Sequence, residues 1–238
     1  MSPARAVWAD AFPDVQILAL ESDVKGHAEY RAAKTGDADA AGRLVAALVP
    51  PGRVDALRPL MPPRAILTSV HAMESAGVNA IPEALANLLG LRLGLPVDAS
   101  IVQTNVVNHT GADGFSRLAR QALFAGDVQR DANYVMVDDF IGQGGTMANL
   151  RGYLMEQGAA VAGAVALTGK PHSAKIQLSP QRLAALRSKH GQLEHWWRKR
   201  FGFGFDALTE SEARYLERTA NADTIRDRVS ASEQAGDS

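Results

Sequence analysis

Two adjacent carboxylates, Asp138 and Asp139, stand between an apolar run and a glycine turn. The run is Tyr134–Val137, and the turn is Gly142–Gln143–Gly144–Gly145 with Thr146 behind it. A largely apolar run of this length reads as a buried strand. Glycines ahead of a helical pattern leave backbone N–H groups open at a helix start, which suits a phosphate dianion. Carboxylates beside such a cradle suit sugar hydroxyls or magnesium, whose ligands are hard oxygens. Ligands in open α/β sheets sit at strand ends of this kind. Two other phosphate motifs do not fit. A P-loop needs Gly, four residues, Gly, Lys and then Ser or Thr, and the chain has no such run. The dinucleotide fingerprint needs Gly or Ala at its sixth position, which counted from Gly142 is Met147.

The segment 134–146 resembles the signature of type I phosphoribosyltransferases, which use phosphoribosyl pyrophosphate (PRPP). Asp138, Asp139, Gly144 and Thr146 match that pattern. Gln143 stands where the family usually has Thr or Ser. Gly142 stands where several members carry an acid that acts on a purine base. The strand–helix order around the motif extends the likeness to roughly residues 64–170. The resemblance implies a magnesium-dependent enzyme that moves ribose 5-phosphate from PRPP to a nucleobase or similar nitrogen nucleophile. Asp138 and Asp139 would take the ribose hydroxyls, or magnesium through its water. Gly142, Gln143, Gly144, Gly145 and Thr146 would wrap the 5′-phosphate. The alternative is a regulatory protein that binds PRPP or a nucleotide without turnover, with a nucleic-acid association.

Two more loops take roles from the resemblance. The loop Ser69–Gly77 follows the first core strand, where the family contacts pyrophosphate. Here it offers His71 and Ser75, with Glu74 placed to reach magnesium through water. The segment Thr110–Arg120 lies where the family inserts a closing loop. A Thr followed by a spaced Arg is similar to competence-associated phosphoribosyltransferases. Arg117, then Arg120, is the expected pyrophosphate clamp, because an arginine fork matches phosphate geometry. Lys170, after the fourth strand, is the candidate for the acceptor pocket.

The elements that must position these residues alternate. Apolar runs at Val15–Leu20, Arg64–Val70, Val97–Val107, Tyr134–Asp138 and Ala160–Leu167 read as strands. Helical spacing covers His27–Val49, with a break near Thr35–Gly36–Asp37, and Pro50–Pro51–Gly52 stops it. Ile81, Leu85, Leu88 and Leu89 mark a helix over Ile81–Leu93, ended by Gly94 and Pro96. Met147, Leu150 and Leu154 mark another, with Gly158 as its stop. This alternation predicts a central parallel sheet flanked by helices, an α/β Rossmann-like core over residues 1–170 with an N-terminal extension. From Lys170 the period changes. Ser179–Pro180 opens a helix to about Lys189, and Thr209–Glu212 has capping-box spacing. Residues 171–230 therefore read as a helical appendage or hood, and 231–238 as a disordered tail.

Lys189, His190, His195, Trp196, Trp197, Arg198, Lys199, Arg200 and Phe201 form a basic and aromatic cluster. Such clusters can stack on single-stranded nucleic acid. The favoured reading has Trp196 packing the appendage onto the core with the cations in solvent; a further candidate role is Trp197 as part of a hood over an acceptor base. His190 and His195 are not spaced as a metal pair on one helix face, so zinc is not expected.

With 238 residues, 46% of them hydrophobic, the chain can bury a full-sized core. Its formal charge of −1 argues against a general nucleic-acid or membrane-surface binder. The absence of cysteine excludes disulfides, thiolate zinc sites and thiol nucleophiles. There is neither a signal-like start nor an apolar stretch near the ~20 residues of a membrane span. A cytoplasmic protein without membrane contact is expected. The expected partners are PRPP and a small-molecule acceptor, and the resemblance implies a homodimer.

Overall fold

The computed structural model describes residues 4–8, 11–70, 73–74, 77–105 and 114–234. Five strands form one sheet: β1 Gln16–Ile17, β2 Ile66–Ser69, β5 Val97–Asp98, β8 Asn133–Ile141 and β9 Ala160–Gly169. Their spatial order is β1-β9-β8-β2-β5, and every pairing is parallel. Two antiparallel ribbons lie outside it: β3 Met73–Glu74 with β4 Gly77–Val78, and β6 Val102–Gln103 with β7 Phe124–Ala125.

The expected strand over Val97–Val107 is broken in two. Asp98 accepts from the Ser100 backbone N–H at 2.9 Å and its hydroxyl at 2.7 Å. This local turn competes with the ladder and sends the chain out of the sheet.

Helices cover both faces, as a parallel sheet requires. On one side α3 (Ala38–Leu48) and α5 (Ile81–Leu93) pack Leu44, Val45, Leu85 and Leu89 against Leu67, Val135, Val137, Val165 and Leu167. On the other, α7 (Gly145–Glu156) packs Met147, Leu150 and Leu154 against Ile66, Tyr134, Met136, Ala164 and Ala166. Alternation along β2 and β8 sends neighbouring residues to opposite cores.

The N-terminal region is cut into short helices, α1 Glu21–Gly26 and α2 Tyr30–Lys34, before α3. The break at residues 35–37 falls where expected, with the Asp37 side chain capping α3 through the Ala40 N–H. The prolines do more than stop α3: Pro51 occupies the first turn of a new helix, α4 (Pro51–Leu57). Helix α5 ends at Gly94 in the left-handed region, with φ 72°.

The C-terminal region is helical and has its own apolar core. Helix α8 (Pro180–Phe201) does not end near Lys189 but kinks at His190, with φ −130°, and continues because Leu193, Trp197 and Phe201 stay buried. With α9 (Glu210–Arg218) and α10 (Ala222–Gln234), it encloses Leu186, Phe203, Phe205, Leu216 and Ile225. Phe115 and Leu118 of α6 (Gly114–Ala119) join the same core. The chain stays helical to Gln234, past the expected start of a disordered tail. Buried Ile225 and Val229 anchor α10, and Arg120 holds its last turn through the Ser232 carbonyl at 3.3 Å. No helix among the described residues is long and apolar enough to cross a membrane.

One buried ion pair joins the layers. Arg5 grips Glu212 of α9 through both terminal nitrogens, at 2.8 and 2.9 Å, and its side chain is fully shielded from solvent. The same guanidinium donates to Asn149 of α7, to the Ala207 carbonyl and to Gln121. Nearby, Arg151 of α7 donates to the carbonyls of Ala6 and Val7 and lies over the Trp8 ring. Residues 4–8 thus strap α7 to α9.

Arg5→Ala should lower unfolding free energy by about 3–5 kcal/mol, because it leaves a buried carboxylate uncompensated. Arg5→Met with Glu212→Leu should recover only part of that loss, because it removes the unpaired charge but leaves the Thr209 N–H and the Ala207 carbonyl without these partners. Denaturant midpoints check both. A loss under about 1 kcal/mol for Arg5→Ala would show that the pair holds nothing together.

Candidate functional site

Strand β8 runs past the two acids. Phe140 and Ile141 still pair with Thr168 and Gly169 of β9, so Asp138 and Asp139 are held inside a ladder rather than on a loose end. The turn follows at Gly142. Gly144 has φ +83° and is the N-cap of α7, with no side chain to satisfy the first N–H groups of that helix. Those N–H groups are left for an anion, and the helix dipole favours one.

The turn is fixed from the far side by α9. The Thr209 hydroxyl donates to the Gln143 carbonyl at 2.5 Å and accepts from the Glu212 N–H at 3.1 Å. Glu212 in turn accepts from the Thr209 N–H at 2.9 Å, completing the capping box. Gly145 allows this approach, since a Cβ there would lie 2.7 Å from Glu212 Oε1. The Gln143 side-chain carbonyl is buried without a hydrogen-bond partner.

The two acids differ in their surroundings. Asp139 accepts from Lys34 of α2 at 3.0 Å. Asp138 accepts from the Asp139 backbone N–H at 2.8 Å. Burial first, and then the charge of Asp139, push the Asp138 carboxyl well above the usual carboxylate range. One ammonium serves two adjacent carboxylates. The two carboxylates offer the oxygen donors a hard divalent cation takes, and among the described residues no third His, Cys, Asp or Glu clusters with them to complete a metal cage.

A cavity of about 630 Å³ opens over these residues. It brings together Asp138, Asp139, residues 142–146, Arg117, Arg120 and Lys170. Arg117 lies against the turn, its Nη1 3.3 Å from where a Cβ on Gly142 would stand. Lys170 is at the exposed rim, paired with Glu21 of α1 at 2.6 Å. His71 and Ser75, with the Glu74 side chain, lie outside the described residues.

Sequence reasoning missed Lys25 and Lys34 from the short N-terminal helices, and Ser211, Arg214 and Arg218 from α9. Spacing could not find them, because they come from distant parts of the chain. Including these, seven lysines and arginines face four acids around the cavity, in a chain of net charge −1. Of the two tryptophans, Trp196 packs against the C-terminal core and Trp197 departs from its expected place. Trp197 is fully buried against Phe201, with ring centroids 4.5 Å apart, and cannot form a hood over a base. Trp196 is the half-buried one, with Arg226 over its ring at 5.8 Å.

Protein TraN of Escherichia coli is 39% identical over 231 residues, which are 95% of this chain and 51% of that protein. An uncharacterized protein of Haemophilus influenzae is 41% identical over 154 residues, covering 64% of this chain and 34% of that protein. The chain therefore spans about half or less of the curated relatives it matches. No family model matches it. Among solved structures, a purine phosphoribosyltransferase from Pyrococcus horikoshii is 19% identical with TM-score 0.34, covering 50% of this chain and 70% of that one. An adenine phosphoribosyltransferase from Leishmania donovani is 15% identical with TM-score 0.35, covering 68% and 76%. Likeness at this level carries no argument. The α/β assignment rests on the sheet order and on the helices covering both its faces.

Asp138→Asn should raise the thermal midpoint at pH 7. A buried acid with a raised native pKa gives a protein that loses stability as pH climbs from the ordinary carboxylate value toward the native one. The gain should therefore shrink as the pH is lowered toward 4. A lower midpoint at neutral pH would contradict the strained state assigned to Asp138.

Proposed function

We propose that this chain is a phosphoribosyltransferase that binds PRPP and transfers ribose 5-phosphate to a nitrogen nucleophile. One juxtaposition supports this reading above all. The uncapped start of α7 lies in a cavity where cations outnumber acids, directly beside two buried carboxylates at a strand end. A sugar phosphate with a second anionic group matches that arrangement in charge and in hydrogen-bonding type.

In this reading the N–H groups of Gly145, Thr146 and Met147 hold the 5′-phosphate. Asp138 and Asp139 accept from the 2′- and 3′-hydroxyls of the ribose, and those hydrogen bonds replace part of the water that the buried carboxylates have lost. Arg117 and Arg120 face the pyrophosphate, where a guanidinium fork stabilises charge as it builds on the leaving oxygens. The bond from C1 to the pyrophosphate oxygen breaks, its electron pair leaves with pyrophosphate, and the acceptor nitrogen forms the new bond to C1. Asp138 and Asp139 are also the residues that would hold magnesium, which when bound supplies charge neutralisation to the leaving group. Most of the protein's contribution is positioning and electrostatics.

PRPP and magnesium offered with a panel of nucleobases should release pyrophosphate with at least one of them. The double variant Asp138→Asn, Asp139→Asn should lose at least a hundredfold in PRPP affinity by titration calorimetry. Unchanged affinity would remove these residues from the site. Saturable binding without pyrophosphate release from any base would instead favour a PRPP-binding regulator, the reading that the change at Gln143 also permits.

A further inference from the structure

The cavity has a second cationic face that the phosphate turn and its clamp do not use. It is built by the short turn after β9 and by α9. Ser173 and Ser211 are buried there, their hydroxyl oxygens 3.4 Å apart. Arg214 donates to the Ser211 hydroxyl at 3.1 Å. Arg218 follows one helical turn later, and Lys170 and His172 stand at the rim.

Like charges at this spacing on one helix repel each other. Among the described residues, neither Arg214 nor Arg218 has an acid within ion-pair reach, although Arg182 and Arg187 on α8 each meet two. The favourable end of the helix dipole accounts for a cation at Arg218 but not at Arg214, in mid-helix. Partial desolvation, and then the charges of Arg214, Lys170 and Arg218, lower the His172 pKa. The four groups are therefore close enough to feel one another; Glu21 offsets Lys170, and among the described residues no acid stands within ion-pair reach of Arg214 or Arg218.

We propose that Ser173, Ser211, Arg214 and Arg218, with Lys170 and His172 at the rim, form a second anion site that takes a carboxylate or phosphate carried by the acceptor. Arginine forks and hydroxyl donors recognise either group. An acceptor bearing such a group is held at the rim while its nitrogen faces the ribose. The site stands on the geometry alone, and only its assignment to the acceptor rests on the phosphoribosyltransferase reading.

The test uses inorganic phosphate as probe on the whole chain, followed by calorimetry and phosphorus NMR. Wild type should bind two phosphates. Arg214→Gln with Arg218→Gln should weaken one of them at least tenfold, and the lysine variants Arg214→Lys with Arg218→Lys should retain it. Ribose 5-phosphate, and then PRPP, should each displace only the other phosphate. A single phosphate in wild type, or no change in the glutamine variant, overturns the site. Displacement of both phosphates by ribose 5-phosphate, or by PRPP, overturns the acceptor assignment, since the arginines would then serve the sugar phosphate or its pyrophosphate. If PRPP displaces neither phosphate, the phosphoribosyltransferase reading fails, while the second site still stands or falls on the glutamine variant.

Discussion

The buried pair between Arg5 and Glu212 is the contact on which the site depends. Glu212 does three things with one carboxylate. It accepts both terminal nitrogens of Arg5, closes the capping box of α9, and fills the space that a side chain on Gly145 would need. Through Thr209 it also places a hydroxyl on the Gln143 carbonyl. The backbone of the phosphate turn is thus set by a helix more than sixty residues further along the chain, and that helix by a strap at residues 4–8. A buried ion pair is no guarantee of net stability, but it demands one geometry. Here that geometry keeps the first N–H groups of α7 facing the cavity.

Charge is distributed against the average of the molecule. The chain is close to neutral, yet the cavity gathers cations from α1, α2, α6, α9 and the end of β9. Inside that field two carboxylates are buried side by side with one lysine between α2 and β8 to balance them. Such an arrangement costs folding free energy, and sites that bind and turn over charged ligands commonly carry this kind of cost. The positive walls favour the phosphates of a ligand, and the acids favour its hydroxyls. In the proposed function a sugar phosphate matches both features, whereas a simple anion gains nothing from buried carboxylates.

Much of the scaffold was legible because its signals are local. Helix α5 follows from the spacing of Ile81, Leu85 and Leu89 and from Gly94 at its end. Thr209 read correctly as a cap because its partner lies three residues away, and the break at residues 35–37 was legible although the cap that Asp37 makes there was not read. The strand carrying the acids was legible too, although its extent was not, because pairing of Phe140 and Ile141 with β9 is a tertiary fact. What the sequence could not show are contacts between distant segments. Arg5 and Glu212 are 207 positions apart, and Lys34 and Asp139 are 105 apart. The burial of Trp197 beside the half-buried Trp196 has a simple cause. Adjacent residues on a helix point about 100° apart, and the kink at His190 resets the phase that a regular pattern would have given.

The central claim is that the turn at Gly142–Thr146 holds a phosphate with its backbone. Amide chemical shifts recorded while ribose 5-phosphate is added test this most directly. The account predicts that the largest shifts fall on Gly144, Gly145, Thr146 and Met147 and saturate together. Amides that stay still there, while residues elsewhere respond, would contradict it.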